Sequence, residues 1–344
     1  MEALSSLPLH QSAALTISDE SGIGAARRVA SAWADAAGFD ATRKGKLALA
    51  VTEAASNMFF HAGGGEIVLR RLREAGTDGF EMLAVDRGKG MRNFAQCAQD
   101  GYSTRGTSGN GLGSIARASD VFDAFSMPER GTVLLSQIWN GPQPEKSSVS
   151  QLGAVCIAIS GEEVVGDGYA VLVQPGLVRI VLMDGLGHGQ GAADATLAGL
   201  QTFHANPKLG PGPLIERMHE ALRPTRGAAV AVVEIEPAAQ RLRFAGVGNC
   251  SGSIHDPAKA RPQGLASHNG TVGAQKPRWN ELGHSWPQDG LLIMHTDGLV
   301  SRWNLEDYPG LSRRHPSVIA GVLYRDFNRQ RDDVTVLAFS SRSA

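Results

Sequence analysis

Apolar positions change their spacing several times along this chain, and each change marks an element. SAALTISD, near the N-terminus, reads as an extended stretch, after which apolar residues recur at helical spacing from about Gly22 to Ala37 and from about Thr42 to Phe60. Strands near 66–73 and 80–86, a glycine-rich loop, a short helix near 112–119 and strands near 121–126 and 131–139 complete the first half. Helices beside a run of strands predict a two-layer α+β arrangement. The pattern then breaks at NGPQPEKSSVSQ, where two prolines, a glycine and three serines mark a linker. Beyond it strands dominate, with helices near 190–204, 212–222 and 315–327, so sheets with helices packed outside are expected. The expected organisation is a domain over 10–140, a linker over 141–151 and a second domain over 152–342.

A length of 344 residues supports two cores that each fold alone. A formal net charge of −1 argues against a dominant nucleic-acid or anionic-membrane footprint. Cys97, Cys156 and Cys250 are odd in number, far apart and in no metal spacing, so they read as reduced thiols of a cytoplasmic protein. MEALSSLPLHQ has no basic-then-apolar pattern, and no apolar run approaches the ~20 residues of a membrane span.

Carboxylates punctuate the second half. Asp184-Gly185 closes LVRIVLMDG, Asp297-Gly298 closes LLIMHTDG, and Asp332-Asp333 opens DDVTVLAF. Each lies at the tip of an apolar run, so if the strands are antiparallel neighbours the carboxylates meet on one rim of one sheet. Such an oxygen-rich set suits a hard cation, magnesium or manganese.

The first half carries different chemistry. Glu53 and Asn57, four residues apart on the second helix, point about 40° from each other beside an apolar stripe of Leu47, Val51, Ala54 and Met58. In VDRGKG, Asp86 stands at a strand end, where it can accept a hydrogen bond from an exocyclic amine while Gly88 and Gly90 let a flat base approach. GTSGNGLG then runs into the helix LGSIARASD, and glycines opening a helix expose N–H groups and the positive end of its dipole to phosphate.

TEAASNMFFHA, DRGKGM, SGNGLGSIARASD and RGT at 130–132 resemble, in order and spacing, the nucleotide-binding boxes of the GHKL ATPase superfamily, most of all the RsbT and RsbW type of serine/threonine kinase. The resemblance covers roughly residues 10–140 and implies a two-layer α/β sandwich with a Bergerat-type ATP site. It implies that Asn57 holds a magnesium bridging the ATP phosphates, and that Glu53 is the general base for the substrate hydroxyl. Asp86 would read adenine, Gly88 and Gly90 would shape its pocket, Gly109, Gly111 and Gly113 would cradle phosphate, and Thr132 would complete the site. A sensor histidine kinase is a poorer match, since the only histidine before His61 is His10, and a gyrase-like ATPase would carry a transducer where the acidic domain follows.

GEEVVGDGYAV, VLMDGLGHGQGA, TRGAAVAVVEI, FAGVGNCSG, LLIMHTDGL and RDDVTVLAF resemble the SpoIIE and RsbX branch of the type 2C metal-dependent protein phosphatases, over roughly 150–342. This implies a β-sandwich flanked by helices and two Mn2+ or Mg2+ ions. Asp184 would bridge both, the Gly185 carbonyl would complete one, and Asp297 and Asp332 would ligate the other. Asp167 would be a further ligand or a carboxylate behind the ligands. Two ions about 3.5–4 Å apart acidify a bridging water and clamp the phosphoryl oxygens, so no covalent intermediate is needed.

The whole arrangement resembles fused ATP-binding, SpoIIE-family phosphatases. It implies a phosphoserine/phosphothreonine phosphatase joined to a kinase-like domain, acting on a STAS-domain partner of the anti-sigma antagonist or stressosome kind; the alternative is an ATP-gated docking or regulatory module with no transfer activity. A homodimer stays open. His188 could protonate a leaving oxygen or shape its loop, and Arg226 could clamp phosphate or pin a loop. Asn249 reads as a tight turn, Trp286 and Trp303 as covers for a sheet, and His61 as a packing or capping residue.

Overall fold

The computed structural model describes residues 11–74, 76–94, 111–143, 151–259, 261–274 and 278–341. The chain forms two compact units, one comprising Met1–Lys146 with Asn304–Asp326, the other Ser147–Trp303 with Phe327–Ala344. Residues 304–326, which the expected second domain of 152–342 includes, fall in the first of these compact units.

In the first unit, strands β1 (Ser12–Ile17), β2 (Gly65–Glu74), β3 (Thr77–Val85), β4 (Val121–Met127) and β5 (Gly131–Trp139) form an antiparallel sheet in the order β1-β2-β3-β5-β4. Helices α1 (Glu20–Ala36), α2 (Ala41–Asn57) and α3 (Gly111–Ala118) accompany it. Aspartates start the first two: Asp19 accepts from Gly22 N–H and Asp40 from Arg43 N–H, satisfying groups that a helix N-terminus leaves open. After Asn57 the helix widens into a π-turn at Met58–Ala62, which includes His61, and ends on Gly63 in the left-handed conformation. Alternate strand residues, among them Ile67, Leu69, Phe80, Met82 and Leu134, pack with Trp33, Leu47, Val51 and Ile115 of the helices into one core.

The second unit is a sandwich of two antiparallel five-stranded sheets. One has the order β13-β10-β9-β8-β7, the other β12-β11-β14-β15-β6. Their strands are β6 (Gln151–Ile157), β7 (Asp167–Gln174), β8 (Leu177–Gly185), β9 (Ala228–Glu236), β10 (Arg241–Val247), β11 (Ser251–His255), β12 (Gln263–Leu265), β13 (Leu282–Ser285), β14 (Leu291–His295) and β15 (Val334–Ser340). Inner-face residues such as Ile180, Leu182, Val233, Phe244, Met294, Leu337 and Phe339 fill the space between the sheets, together with Trp286. Residues on the other face of the first sheet, Met183, Val230 and Val232, pack under helices α4 (Gln190–Ala205) and α5 (Pro211–Leu222) through Phe203, Leu214 and Met218. Cys156 and Cys250 are buried and form no disulfide among the described residues, and Cys97 lies outside those residues.

The last helix, α6 (Pro316–Phe327), was expected to flank this sandwich. Its residues up to Asp326 lie in the first compact unit, on the sheet face that α1 and α2 leave uncovered. The reason is side-chain fit. A Cβ on Gly321 would stand 2.8 Å from Val133 and 3.4 Å from Leu83, so the helix backbone lies directly on β5 and β3. Ser317 Oγ donates to Glu81 Oε2 (2.6 Å) and Tyr324 Oη to Glu66 Oε2 (2.9 Å). Glu81, 1% exposed, is further held by Arg70 and Gln137, so this buried charge is fully partnered.

Candidate nucleotide site and metal centre

In the first unit α2, α3 and the end of β3 supply the polar groups. Glu53 and Asn57 both face the first residue of α3: a Cβ on Gly111 would come within 3.0 Å of Glu53 Oε2 and 3.4 Å of the Asn57 amide. A larger residue at 111 would fill the space between the helix start and these two side chains. Gly113 is buried two residues further into α3, whereas Gly109 lies outside the described residues.

Asp86 follows β3. Its Oδ1 accepts from Gly88 N–H (2.8 Å) and Thr132 N–H (3.2 Å), which fixes the carboxylate and leaves Oδ2 without a partner among the described residues. Burial raises its pKa, opposed by those two N–H groups and by Arg325. Thr132 is thus a positioning residue here; its carbonyl accepts from Asp86 N–H (2.9 Å) and its hydroxyl meets Ser126 (2.8 Å). Gly88 packs on Ala62, where a Cβ would lie 2.6 Å from that residue's own. Gly90 has φ +62° and faces the Met127 carbonyl at a distance that excludes any side chain.

In the second unit β7 and β8 pair so that Asp167 and Asp184 are direct cross-strand neighbours. Asp297 follows β14 and Asp332 precedes β15, which are neighbours in the other sheet. The expectation of one rim of one sheet is therefore corrected: the carboxylates come from both sheets of the sandwich and meet at its end. Asp184, Asp297 and Asp332 line one cavity of about 430 Å³, with Leu186, Asn249, Asn269 and Thr271. Gly185 ends β8 beside Asp184, its N–H bonded to the Gly166 carbonyl (3.2 Å). Among the described residues no three acidic, histidine or cysteine side chains close into a cage, so the carboxylates ring the cavity.

The crowding of charge is visible at Asp184 and Asp167. Asp184 is pushed up to about 7, first by burial and then by Asp297, Asp332 and Asp333. Asp167, 2% exposed, is pushed well above the usual carboxylate range by burial and then by Asp184. The same surroundings hold the buried Cys250 thiol far up, protonated and unreactive. Crowded carboxylate oxygens without a compensating cation fit divalent magnesium or manganese, which Asp184, Asp297 and Asp332 would hold.

Several contacts around this cavity were not legible as function. Asn249, expected as a turn, donates from Nδ2 to Asp297 Oδ2 (2.6 Å) and aims that carboxylate. Thr296 Oγ1 donates to Asp167 Oδ2 (2.6 Å) and accepts from Thr335 N–H (2.9 Å), tying β15 to the buried aspartate. Asp333 accepts from Ile159 N–H (2.7 Å) and Gly166 N–H (2.6 Å), holding the loop before Asp167. The available signal was adjacency: Thr296 precedes Asp297, and Asp333 follows Asp332. His188 meets Glu162 (2.8 Å) on the surface, and exposed Arg226 lies against Gly187 and Gly191 at the start of α4. Trp303 stacks on His255.

Comparison with known proteins matches the two parts of the chain to two families, and the second match includes residues 304–326. Residues 18–137 match the histidine kinase-like ATPase domain family, and residues 174–342 match the stage II sporulation protein E (SpoIIE) family. The chain carries an N-terminal histidine kinase-like ATPase domain and a C-terminal SpoIIE domain. The ATPase domain is similar to the serine/threonine-protein kinase RsbT of Bacillus subtilis (strain 168), 29% identical over 131 residues, 38% of this chain and 98% of that protein. The SpoIIE domain is similar to the phosphoserine phosphatase RsbX of the same organism, 22% identical over 179 residues, 52% of this chain and 87% of that protein. A crystal structure of RsbX in complex with magnesium shares the fold, with a TM-score of 0.51 at 18% identity, covering 58% of this chain and 98% of that one. A kinase-like ATPase domain joined to a type 2C phosphatase domain is a partner-switching architecture, and the SpoIIE domain makes this chain a type 2C phosphatase. No helix among the described residues is long and apolar enough to cross a membrane.

Proposed function

We propose that the SpoIIE domain removes phosphate from a serine or threonine of a STAS-domain regulatory protein, and that the ATPase domain binds ATP and returns phosphate to the same partner. The observation that carries the first half is the cavity lined by Asp184, Asp297 and Asp332, where three carboxylates crowd together and the proton affinity of Asp184 is raised. Bound Mg2+ or Mn2+ ions would supply an acidified water and a clamp for the phosphoryl oxygens. Asp184, Asp297 and Asp332, and with less direct access Asp167 and the Gly185 carbonyl, would hold them. Asn249 and Thr296 keep their carboxylates oriented, as partners behind metal ligands do.

Support for the second half is the approach of Glu53 and Asn57 to the start of α3. Asn57 would hold the Mg2+ that accompanies ATP, and Glu53, which has no hydrogen-bond partner among the described residues, would take the hydroxyl proton of the acceptor serine or threonine. Asp86 would receive the adenine amine on its free oxygen. Phosphate on the partner acts as a switch because about two negative charges at a tight interface oppose docking.

The test uses Asp184→Asn, so that any product persists. This protein is incubated with ATP, Mg2+ and a STAS-domain protein, and the partner is weighed by intact-protein mass spectrometry. A gain of one phosphate, lost when Glu53→Ala is added, supports both halves. No gain with bound ATP confirmed removes the transferase role, and an unchanged pre-phosphorylated partner after exposure to wild-type protein and Mn2+ removes the phosphatase one. A second reading, in which the ATPase domain only gates its neighbour, is favoured by the contact between Arg325 and the Asp86 loop.

A further inference from the structure

The chain leaves the second unit after Trp303, spends Asn304–Asp326 in the first, and returns at Phe327. Both crossings fall between metal-site carboxylates, Asp297 before the excursion and Asp332 after it. Within the first unit the excursion is anchored along its length. His315 N–H donates to Asp123 Oδ2 (2.7 Å), Arg314 pairs with the same carboxylate (3.2 Å), and Arg130 lies 5.0 Å above the Tyr308 ring. At its end the anchor is the adenine-reading loop itself. Arg325, 2% exposed, points Nη1 at the Asp86 carbonyl (3.5 Å), while Arg87 Nη2 donates to the Arg325 carbonyl. Arg325 also grips Asp326 through Nε and Nη2, each at 2.8 Å, and Tyr308 Oη donates to Asp326 Oδ2 (2.8 Å).

From Asp326 onward there is little slack. Val300 N–H donates to the Phe327 carbonyl (2.9 Å) and Arg329 N–H to the Gly298 carbonyl (2.9 Å), so the returning chain is fastened to the loop that carries Asp297. Asp332 follows at once, its Oδ1 accepting from Asp333 N–H (2.9 Å). A shift of the Asp86–Arg87 loop on nucleotide binding is thereby passed through Arg325 and Asp326 to two of the carboxylates that line the metal cavity.

We propose that residues 304–326 are a transmission element through which nucleotide at Asp86 sets the geometry of Asp297 and Asp332, so that ATP controls the phosphatase and metal occupancy controls ATP affinity by the same factor. The inference rests on the nucleotide and metal readings above. It adds a named route, which runs through covalent continuity and hydrogen bonds, and a reciprocity that a docking role for the ATPase domain does not require.

The test uses the full chain with the non-hydrolysable analogue AMP-PNP, with free Mn2+ held constant. Calorimetry first measures AMP-PNP affinity, and turnover of p-nitrophenyl phosphate without nucleotide gives the basal rate. Absence of either overturns the underlying reading and this inference with it. With both present, saturating AMP-PNP is expected to change kcat/KM by about fivefold or more, in the range typical of coupled sites, and to alter hydrogen exchange in 298–300 and 327–336. Arg87→Ala removes an exposed tie to α6, and Tyr308→Phe removes the hold on Asp326. Each should leave basal turnover within about twofold and reduce the nucleotide effect to about twofold or less. Bound AMP-PNP with unchanged turnover and unchanged exchange overturns the inference alone. A nucleotide effect that survives at full size in both variants overturns the route.

Discussion

In the candidate nucleotide site a single carboxylate, Asp86, is held by two backbone N–H groups with an arginine beyond it, whereas in the candidate metal site Asp184 is faced by Asp297, Asp332 and Asp333. The first arrangement is complete as protein: its charge is partnered and one oxygen is left for the ligand. The second concentrates like charge, and protons or cations must relieve it. The same contrast runs through the buried charges of each unit. Glu81 is met by Arg70, Gln137 and Ser317, while Asp167 has Thr296 as a hydroxyl donor and Asp184 as its strand neighbour. Preorganisation thus takes two forms, one by hydrogen bonds fixed in advance and one by repulsion that a ligand removes.

The most direct way to break this comparison is to neutralise one side. On the proposed reading Asp184→Asn should lower phosphatase turnover by more than the roughly 10- to 100-fold that loss of a partner behind the ligands produces, because it would remove a ligand itself. AMP-PNP affinity measured by calorimetry should stay; loss of both would mean the two sites are not separate. Asp86→Ala tests the other side. It removes a charged acceptor and strands the Gly88 and Thr132 N–H groups, so AMP-PNP affinity should fall by about 10- to 100-fold, in line with about 1.5–3 kcal/mol for a hydrogen bond to a charged group. An unchanged affinity would show that the loop does not read adenine.

Metal addition sharpens the contrast between the units. Mn2+ at about 100 times its dissociation constant should stabilise the wild-type chain by about 2.7 kcal/mol, seen as a raised thermal midpoint. Asp184→Asn should show a smaller shift at the same concentration, and starts from less repulsion. Equal shifts would place the stabilising ion elsewhere.

What the chain disclosed in advance follows from how local each signal is. Helices and strands with clear periods, and motifs whose polar residue and glycines are adjacent, could be read one segment at a time; the turn in which Asp86 accepts from Gly88 N–H is such a case. The pairing of Asp297 with Asn249 could not, because 48 positions separate them and the amide's direction depends on how β11 packs beside β14. The excursion of 304–326 was hidden for a related reason. Its apolar helix meets the first sheet through the match of Gly321 to Val133 and Leu83 and through Ser317 reaching Glu81, contacts between residues far apart in the chain. Carboxylates at strand tips were readable, but which sheet each strand joins is a property of the assembled sandwich.

The smallest effect concerns a half-buried titratable group, His255. His255 on β11 stacks on Trp303 with ring centroids 5.8 Å apart, and its Nε2 meets Ser253 Oγ at 2.9 Å. Burial lowers its pKa from 6.5 to about 4, so it is neutral in the fold. Between those values the unfolded chain binds the proton and the folded one does not. The contribution of this burial is therefore fully present above pH 6.5 and is lost as pH falls toward 4. Over that window the wild-type protein should lose on the order of 1–3 kcal/mol through this residue. His255→Phe keeps a ring against Trp303 and has no proton to take up, so its stability curve, from urea unfolding at several pH values, should be flatter than that of the wild type below pH 6.5. Acidic residues titrate in both proteins and cancel in the difference. Parallel curves would mean that His255 takes up its proton within the fold, and that uncompensated burial in the second unit is confined to its carboxylates.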